Sequence, residues 1–371
     1  KGTETLAPGE LSKIVEANGG NDNAFTSQDY TAYFQRVAAD RLGLMMEMEA
    51  DRMRNLVLAP EAVDTERDVI LEERATRTDS EPGALFREEL SAALYRNHPY
   101  GIPVIGWRAE MEQLTREDAL AFYQRFYAPN NAILIVAGDV SPEDVRTLAE
   151  EHYGPLEPSP TIEPRVRPQE PPSRAPRRLT FSDPRVANPS LLRAYLAPAR
   201  DAGDQKQAAA LVYLAELLGG DGATSVLGQA LQFDSQIAIY ARARYGATSL
   251  DESSFSFVVV PSDGVTLEAA ETALDAELVR FLETGPDQED FARLKMQIRA
   301  AEIYALDDVG DLADRYGRAL TTGLTIADVQ SWPDVLQAVT MDDVMEAARD
   351  VLDIRASVTG WLMPGVGEDA L

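Results

Sequence analysis

Residues 18–27 read Asn18-Gly19-Gly20-Asn21-Asp22-Asn23-Ala24-Phe25-Thr26-Ser27. A pair of glycines is typical of a turn, and the alternation that follows it is typical of a strand. The run Asn23, Ala24, Phe25 and Thr26 suits a sheet edge whose backbone could pair with an added peptide strand. An ordinary strand after a turn is the alternative, and the local sequence does not separate the two interpretations.

A second segment, Glu66-Arg67-Asp68-Val69-Ile70-Leu71-Glu72-Glu73, lies on a helix that we predict to begin near Pro60, because proline is tolerated in a first turn. Glu66 and Glu73 are seven residues apart, which returns to nearly the same helix face after two turns, whereas Glu72 points elsewhere. Such a pair could serve a metal, with one carboxylate as direct ligand and the other in support. A solvated acidic helix is the alternative, and the spacing alone favours it.

Histidines are scarce in this chain. Zinc peptidases usually hold the ion through three protein ligands, most of them His, and leave one position open for water. The chain contains two histidines, His98 in a predicted turn that reads His98-Pro99-Tyr100-Gly101 and His152 shortly before Gly154. Their separation fits no helical metal pair, so we expect both to be surface or packing residues. No complete zinc site can be written from these residues.

Composition excludes several other functions. The net charge of -28 argues against nucleic acid as a partner, because phosphate binding needs a clustered basic surface. There are no cysteines, which excludes disulfides and thiolate zinc sites and leaves the compartment open. We expect a periplasmic protein, with the cytoplasm as the alternative, and no apolar run is long enough to predict a membrane span. The run Gly219-Gly220-Asp221-Gly222 lacks the lysine of a phosphate loop, so we interpret it as a helix-ending turn.

The 371 residues suit two domains, which we place at 1–157 and 177–371 on either side of a Pro-rich linker at 158–176. Each half contains a helix that begins with threonine followed by acids and that leads into a strand. The helices start at Thr115 and Thr340 and the strands cover 132–137 and 356–362. An earlier helix is predicted over 42–56, with a methionine stripe that is typical of a core. The order of elements predicts an α+β protein of two related domains.

Together these segments resemble the pitrilysin/insulinase family of zinc metallopeptidases, to which the mitochondrial processing peptidases belong. The resemblance covers essentially the whole chain and includes the run at 98–101, the run Tyr127-Ala128-Pro129-Asn130-Asn131-Ala132 and the run Ala137-Gly138-Asp139, in family order. It implies two α/β-sandwich domains, each a mostly antiparallel sheet covered by helices. It also implies a zinc metalloendopeptidase that hydrolyses extended or unfolded peptides.

The resemblance assigns roles to residues that local reasoning left open. Glu73 falls where the family keeps its third zinc ligand, and Glu66 falls at a supporting carboxylate. Asn23, Ala24 and Phe25, with Thr26, match the edge strand on which related enzymes lay the substrate. The His-x-x-Glu-His motif, which supplies two zinc ligands and the catalytic base, is expected upstream of Lys1, so we expect the chain as given to be inactive.

One stretch departs from the family pattern. Self-sufficient members carry an Arg and a Tyr that bind the substrate backbone, whereas residues 230–240 contain no Arg and place Tyr240 out of register by one. The resemblance therefore implies a homo- or heterodimer with a related subunit that supplies the Arg/Tyr pair. The alternative is a non-catalytic family member that serves as a peptide-binding or assembly subunit.

Overall fold

The computed structural model describes residues 2–365. Lys1 and residues 366–371, which the predicted domain limits include, lie outside the described residues. The chain divides into two compact units: unit 1 comprises Lys1–Thr76, Pro103–Val166 and Val309–Gly317, and unit 2 comprises Arg77–Ile102, Arg167–Asp308 and Arg318–Leu371. Residues 77–102 thus belong to unit 2 although they precede the Pro-rich segment. The limits 1–157 and 177–371 remain a prediction.

Unit 1 contains short strands and six complete α-helices among its described residues. Its elements are β1 (Gly2–Thr3), α1 (Glu10–Ala17), β2 (Asn21–Thr26), β3 (Thr31–Arg36), α2 (Leu42–Arg54), β4 (Leu56–Val57), α3 (Pro60–Arg74), α5 (Arg108–Met111), α6 (Arg116–Phe126) and α7 (Pro142–His152), and it also holds the first part of α11 (Val309–Thr321). The strands form two separate antiparallel pairs, β1 with β4 and β2 with β3.

Helices α2, α3 and α6 of unit 1 begin where the sequence predicts. Helix α3 has Pro60 in its first turn. Thr115 and Asp118 form a reciprocal capping box at the start of α6, which satisfies amides that have no partner inside the helix. Met45 and Met48 on α2 pack with Val15 in a small apolar cluster. The methionine stripe is therefore a core feature.

The predicted strand at 132–137 is wrong. These residues adopt no strand, and no described strand pairs with them. Ile133 and Leu134 are about half exposed. A β-strand exists only in a hydrogen-bonded ladder, so apolar β-branched residues are not sufficient where no neighbouring strand is present.

Unit 2 is larger and contains a five-stranded sheet. Its elements are α4 (Pro82–Leu94), β5 (Arg177–Asp183), β6 (Ser190–Ala197), α8 (Lys206–Gly219), β7 (Ala238–Tyr245), β8 (Ser253–Pro261), α9 (Leu267–Thr284), α10 (Gln288–Tyr304), α12 (Ile326–Ala338), α13 (Met341–Val351) and β9 (Ser357–Pro364), together with the last part of α11. The strand order is β5-β9-β6-β8-β7, in which only β5 and β9 are parallel. The expected α+β class with a mostly antiparallel, helix-covered sheet is confirmed.

Both faces of this sheet are covered. One face packs on α8, α9 and α13 in the main apolar core. The other face packs on α4, where Phe86 and Leu90 lie so close to Gly360 of β9 that a Cβ there would be 2.6 Å from the Phe86 ring. The capping box at Thr340 and the strand that follows α13 confirm the prediction for this half. Helix α8 ends at Gly219, in agreement with the predicted helix-ending turn.

The Pro-rich segment has no regular secondary structure and is held at several points within each unit. In unit 1, Asn130 exchanges two hydrogen bonds with the backbone of Ser159, at 2.9 and 3.0 Å. In unit 2, the Glu170 carboxylate accepts hydrogen bonds from the backbone N–H groups of Asn97 and His98.

No helix among the described residues is long and apolar enough to cross a membrane.

A buried ion network joins three strands of unit 2 to α9. Arg193 of β6 is 1% exposed, and its guanidinium donates to Glu271, Asp275 and Thr359. Glu271 also accepts from Arg178 of β5 and from the Trp361 indole of β9. Burial opposes ionisation of Glu271, but the bonds from Arg178 and Arg193 outweigh it and hold the pKa of this carboxyl below its ordinary value of 4.5. Every charged member of the network has a partner, as burial of charge requires.

We expect Glu271→Ala to lower the free energy of unfolding by about 1.5–3 kcal/mol, because it removes one of the two carboxylates that pair with the buried Arg193 cation and leaves only the half-exposed Asp275. Since the folded-state pKa of Glu271 is lowered, the stabilisation is present above pH 4.5 and is lost as the pH falls through the folded-state pKa. Urea denaturation at pH 7 and at several values below pH 4.5 measures both effects.

The matched control is Glu277→Ala on the same helix, where Glu277 pairs with the half-exposed Arg280. We expect it to cost about 0.5 kcal/mol. Equal losses in the two variants would contradict the importance of the buried network.

Candidate active site

The two carboxylates of α3 lie on one side of the helix, as predicted. Glu66 and Glu73 are both half-buried, whereas Glu72 is exposed. Glu66 lines a cavity of about 700 Å³ that is also lined by the turn after β1 and by Glu61 and Thr65. Glu73 lies two turns further along the helix and is not among the residues that line this cavity. The two side chains therefore face different surroundings.

The donor set of the described residues does not complete a zinc site. They contain no group of three or more His, Asp or Glu side chains that could hold a metal ion. On α3 the available ligands are carboxylates, whereas zinc peptidase sites are built mostly from His. The zinc ion that the family resemblance implies would need histidine ligands. The described residues place no histidine beside α3.

His98 has a packing role in unit 2. Its side chain is 7% exposed, with Nε2 3.0 Å from an oxygen of Asp251 and Nδ1 accepting the backbone N–H of Tyr100. Arg167 donates to the other oxygen of Asp251. Both ring nitrogens of His98 are therefore occupied by protein groups, in agreement with the predicted packing residue. His152 is the last residue of α7 and is half-buried.

Strand β2 has one paired side and one open side among the described residues. It pairs with β3 in the register Asn23↔Phe34, Ala24↔Tyr33 and Phe25↔Ala32. Ser27 donates its backbone N–H to Tyr30 at the end of the hairpin. Because hydrogen-bonded and non-hydrogen-bonded pairs alternate along an antiparallel ladder, Ala24↔Tyr33 is a non-hydrogen-bonded pair. The backbone N–H and C=O of Ala24 therefore point away from β3 toward the open edge.

The side chain of Asn23 occupies part of this edge. Its Oδ1 accepts the backbone N–H of Ala24 at 2.8 Å. An incoming peptide carbonyl would take the same place, because it offers the same acceptor to the same amide. The Asn23 carboxamide thus satisfies the amide that a bound strand would use.

The two faces of the hairpin differ in character. One face carries aromatic rings, with Phe25 5.8 Å from Tyr30 and 6.4 Å from Phe34 between ring centroids. Phe34 is 43% exposed. The other face carries Tyr33 and Gln35, which contact residues of α2. Sequence reasoning did not predict the contacts of Tyr33 and Gln35 with α2. The alternation of side chains in the two strands was the signal that could have placed Tyr33 opposite Ala24.

The stretch that departs from the family pattern has an irregular backbone in unit 2. Residues Gly228–Asp234 form a π-helical segment, and Gln236 has a positive φ of 53°. The pairing of β7 with β8 shifts register between Ala238 and Tyr240, so Ile239 is an inserted residue. Ile239 is 61% and Tyr240 37% exposed. The one-residue displacement of Tyr240 from the family pattern thus coincides with a β-bulge that adds one residue to β7.

Comparison with known proteins identifies the class. A family model described as Insulinase (Peptidase family M16) matches residues 1–107, and one described as Peptidase M16 inactive domain matches residues 113–298. The chain therefore belongs to peptidase family M16.

Individual relatives agree with this assignment. The chain is 29% identical over 374 residues to the zinc protease PqqE of Helicobacter pylori, covering 98% of this chain and 81% of the relative. It is 27% identical over 381 residues to a probable mitochondrial-processing peptidase subunit beta of Schizosaccharomyces pombe, covering 97% of this chain and 80% of the relative. The crystal structure of a protease from Helicobacter pylori superposes with a TM-score of 0.89 at 27% identity, covering 98% of this chain and 86% of that one.

We expect Gly20→Ala to disturb the start of β2. A Cβ at Gly20 would lie 2.5 Å from Val37 and 2.6 Å from the backbone oxygen of Arg36, so the strand must shift. The predicted cost is about 1–3 kcal/mol of overpacking, with faster hydrogen exchange over residues 21–36. Gly83→Ala is the control, since its Cβ would be 3.5 Å from the end of the Arg87 side chain. Normal exchange in Gly20→Ala would contradict the close packing at this turn.

Proposed function

We propose that the intact protein is a zinc-dependent metalloendopeptidase that hydrolyses extended or unfolded peptides. The observation that carries the proposal is the open edge of β2, where the backbone groups of Ala24 point outward beside an aromatic face. Its similarity to proteins named zinc proteases supports the class of reaction. In this proposal Asn23, Ala24, Phe25 and Thr26 bind the peptide.

The preference for extended peptides follows from backbone pairing. A strand that is added to an open edge must offer its own N–H and C=O groups, and a folded protein has already paired most of them. The exposed ring of Phe34 beside Phe25 offers an apolar surface to alternate side chains of the peptide. In this arrangement backbone hydrogen bonds provide the affinity for the peptide, and the aromatic face determines which peptide side chains are preferred.

The proposed metal site uses Glu73 as a ligand and Glu66 as its supporting carboxylate. Bound zinc polarises a carbonyl and lowers the pKa of its water. Because the described residues bring no histidine to α3, the proposal requires His ligands and a catalytic base from outside residues 1–371. The chain as given is accordingly proposed to be inactive.

The decisive experiment is zinc analysis of the full gene product. We expect Glu73→Gln to lose zinc and peptidase activity together, because it removes a metal ligand. Glu66→Gln is expected to weaken both less, because loss of a supporting carboxylate typically lowers metal affinity or activity by about 10- to 100-fold. Elemental analysis and hydrolysis of a quenched fluorescent peptide are the two measurements. Glu72→Gln on the exposed side of the same helix is the matched control.

Equal zinc content in the wild type and Glu73→Gln would reject Glu73 as a ligand. Absence of zinc from the full gene product would reject the peptidase itself. That result would favour the second candidate, a non-catalytic subunit that binds peptides or supports assembly. The observation in favour of this candidate is that residues 113–298 match a model described as an inactive domain.

We further propose a dimer with a related subunit, either identical or different, that supplies an Arg/Tyr pair to the bound peptide. Support comes from residues 230–240, which contain no Arg. We expect the purified monomer to show less than about a tenth of the activity of the complex, because charged hydrogen bonds to substrate are worth about 1.5–3 kcal/mol each. Size-exclusion chromatography with activity measured across the elution profile tests the dimer, and full activity in the monomer peak would reject it.

The cellular compartment stays a prediction, with the periplasm as the expected location and the cytoplasm as the alternative.

A further inference from the structure

The side chain of Tyr33 links the hairpin to the rest of unit 1. Tyr33 stands directly opposite Ala24, in the kind of pair that brings Cα atoms closest, to about 4.5 Å. Its ring lies under the Arg52 guanidinium, 3.5 Å from the guanidinium carbon to the ring centroid. Its hydroxyl is 2.6 Å from the hydroxyl of Tyr127. One residue of β3 thus contacts both α2 and the segment after α6.

The groups that hold Tyr33 are themselves held. The Arg52 guanidinium donates to Glu49 one turn earlier on α2. The backbone oxygen of Tyr127 accepts from Arg54 at 2.9 Å, and its ring lies 5.2 Å from that of Tyr123. Burial raises the pKa of Tyr127 well above its ordinary value. Tyr127 therefore keeps its proton at neutral pH and can donate a hydrogen bond.

Other anchors of the hairpin lie at its two ends. At one end, Ser12 of α1 donates to Asp22 at 2.8 Å. At the other end, Arg165 donates to the backbone oxygen of Asp29 at 2.8 Å. Between these ends, the face of β3 toward α2 is held by Gln35, which donates to Glu49, and by Tyr33. Of these contacts, those of Tyr33 lie opposite the outward-pointing backbone of Ala24.

We propose that Tyr33, Arg52 and Tyr127 form a clamp that fixes the position of Ala24 for peptide binding, so that all three are positioning residues of the peptidase. The proposal rests on the proposed function for the role of β2. The clamp fixes the position of the outward-pointing N–H and C=O groups of Ala24. Ala24 is the residue directly opposite Tyr33, so a shift of the Tyr33 ring would move Ala24 as well. The proposal assigns the three side chains no contact with the peptide itself.

The test compares Tyr33→Phe, Tyr127→Phe and the double variant in the full gene product. Each single variant removes the same hydroxyl pair, so we expect hydrogen exchange over residues 21–26 to rise about two- to tenfold, the range for loss of one net hydrogen bond. The double variant is expected to match the single ones, because they share one interaction. The dissociation constant of a fluorescein-labelled unstructured peptide, measured with zinc removed by a chelator, is expected to rise by the same factor. In the zinc-loaded protein KM is expected to rise while kcat and zinc content stay constant.

Tyr213→Phe is the matched control, since the Tyr213 hydroxyl is buried in unit 2 and no described residue forms a hydrogen bond with it. It is expected to change none of these quantities. Unchanged exchange over residues 21–26, unchanged peptide affinity, or a double variant whose effects add would each overturn the clamp. A wild type that fails to hydrolyse peptides would instead reject the proposed function, because exchange and peptide affinity are measured without turnover.

Discussion

A ladder of two strands is marginally stable in water by itself, and the candidate substrate strand belongs to such a ladder. Strand β2 has β3 as its partner among the described residues, so the hairpin must gain its stability from packing. The packing comes from one face of β3 against α2, and the opposite face is left with its aromatic rings accessible. The same constraint leaves the outer edge of β2 open, which is what a strand-binding site requires.

Unit 2 solves the stability problem differently. Its sheet has five strands, apolar layers on both faces, and a buried cation whose partners come from α9 and β9. Removal of such a cation from water is costly unless each donor finds an acceptor, so the Arg193 network restricts how β5, β6, β9 and α9 can pack. The bulge in β7 lies in an edge strand of this sheet, where it disturbs only one ladder.

The elements that sequence reasoning predicted correctly are those that depend on near neighbours. The start of α3 at Pro60 and the capping boxes at Thr115 and Thr340 are set by residues within one turn. The failures depend on distant partners. Residues 132–137 have the composition of a strand but lack a described ladder partner, and the contacts of Tyr33 with Arg52 and Tyr127 join segments that are far apart in the sequence. No local pattern records such pairings.

The same distinction applies to the acidic helix. The spacing of Glu66 and Glu73 fixes their common side of α3, and it also separates them by about 10 Å along the axis, at 1.5 Å per residue. Zinc–oxygen distances are about 2 Å, so two side chains with Cα atoms this far apart are poorly placed to bind one ion directly. In the proposed metal site the two carboxylates would therefore have different roles, one as ligand and one in support. Glu66 is half-buried beside its cavity and Glu73 is half-buried two turns away, so the local sequence could predict their common side of the helix but not what surrounds each side chain.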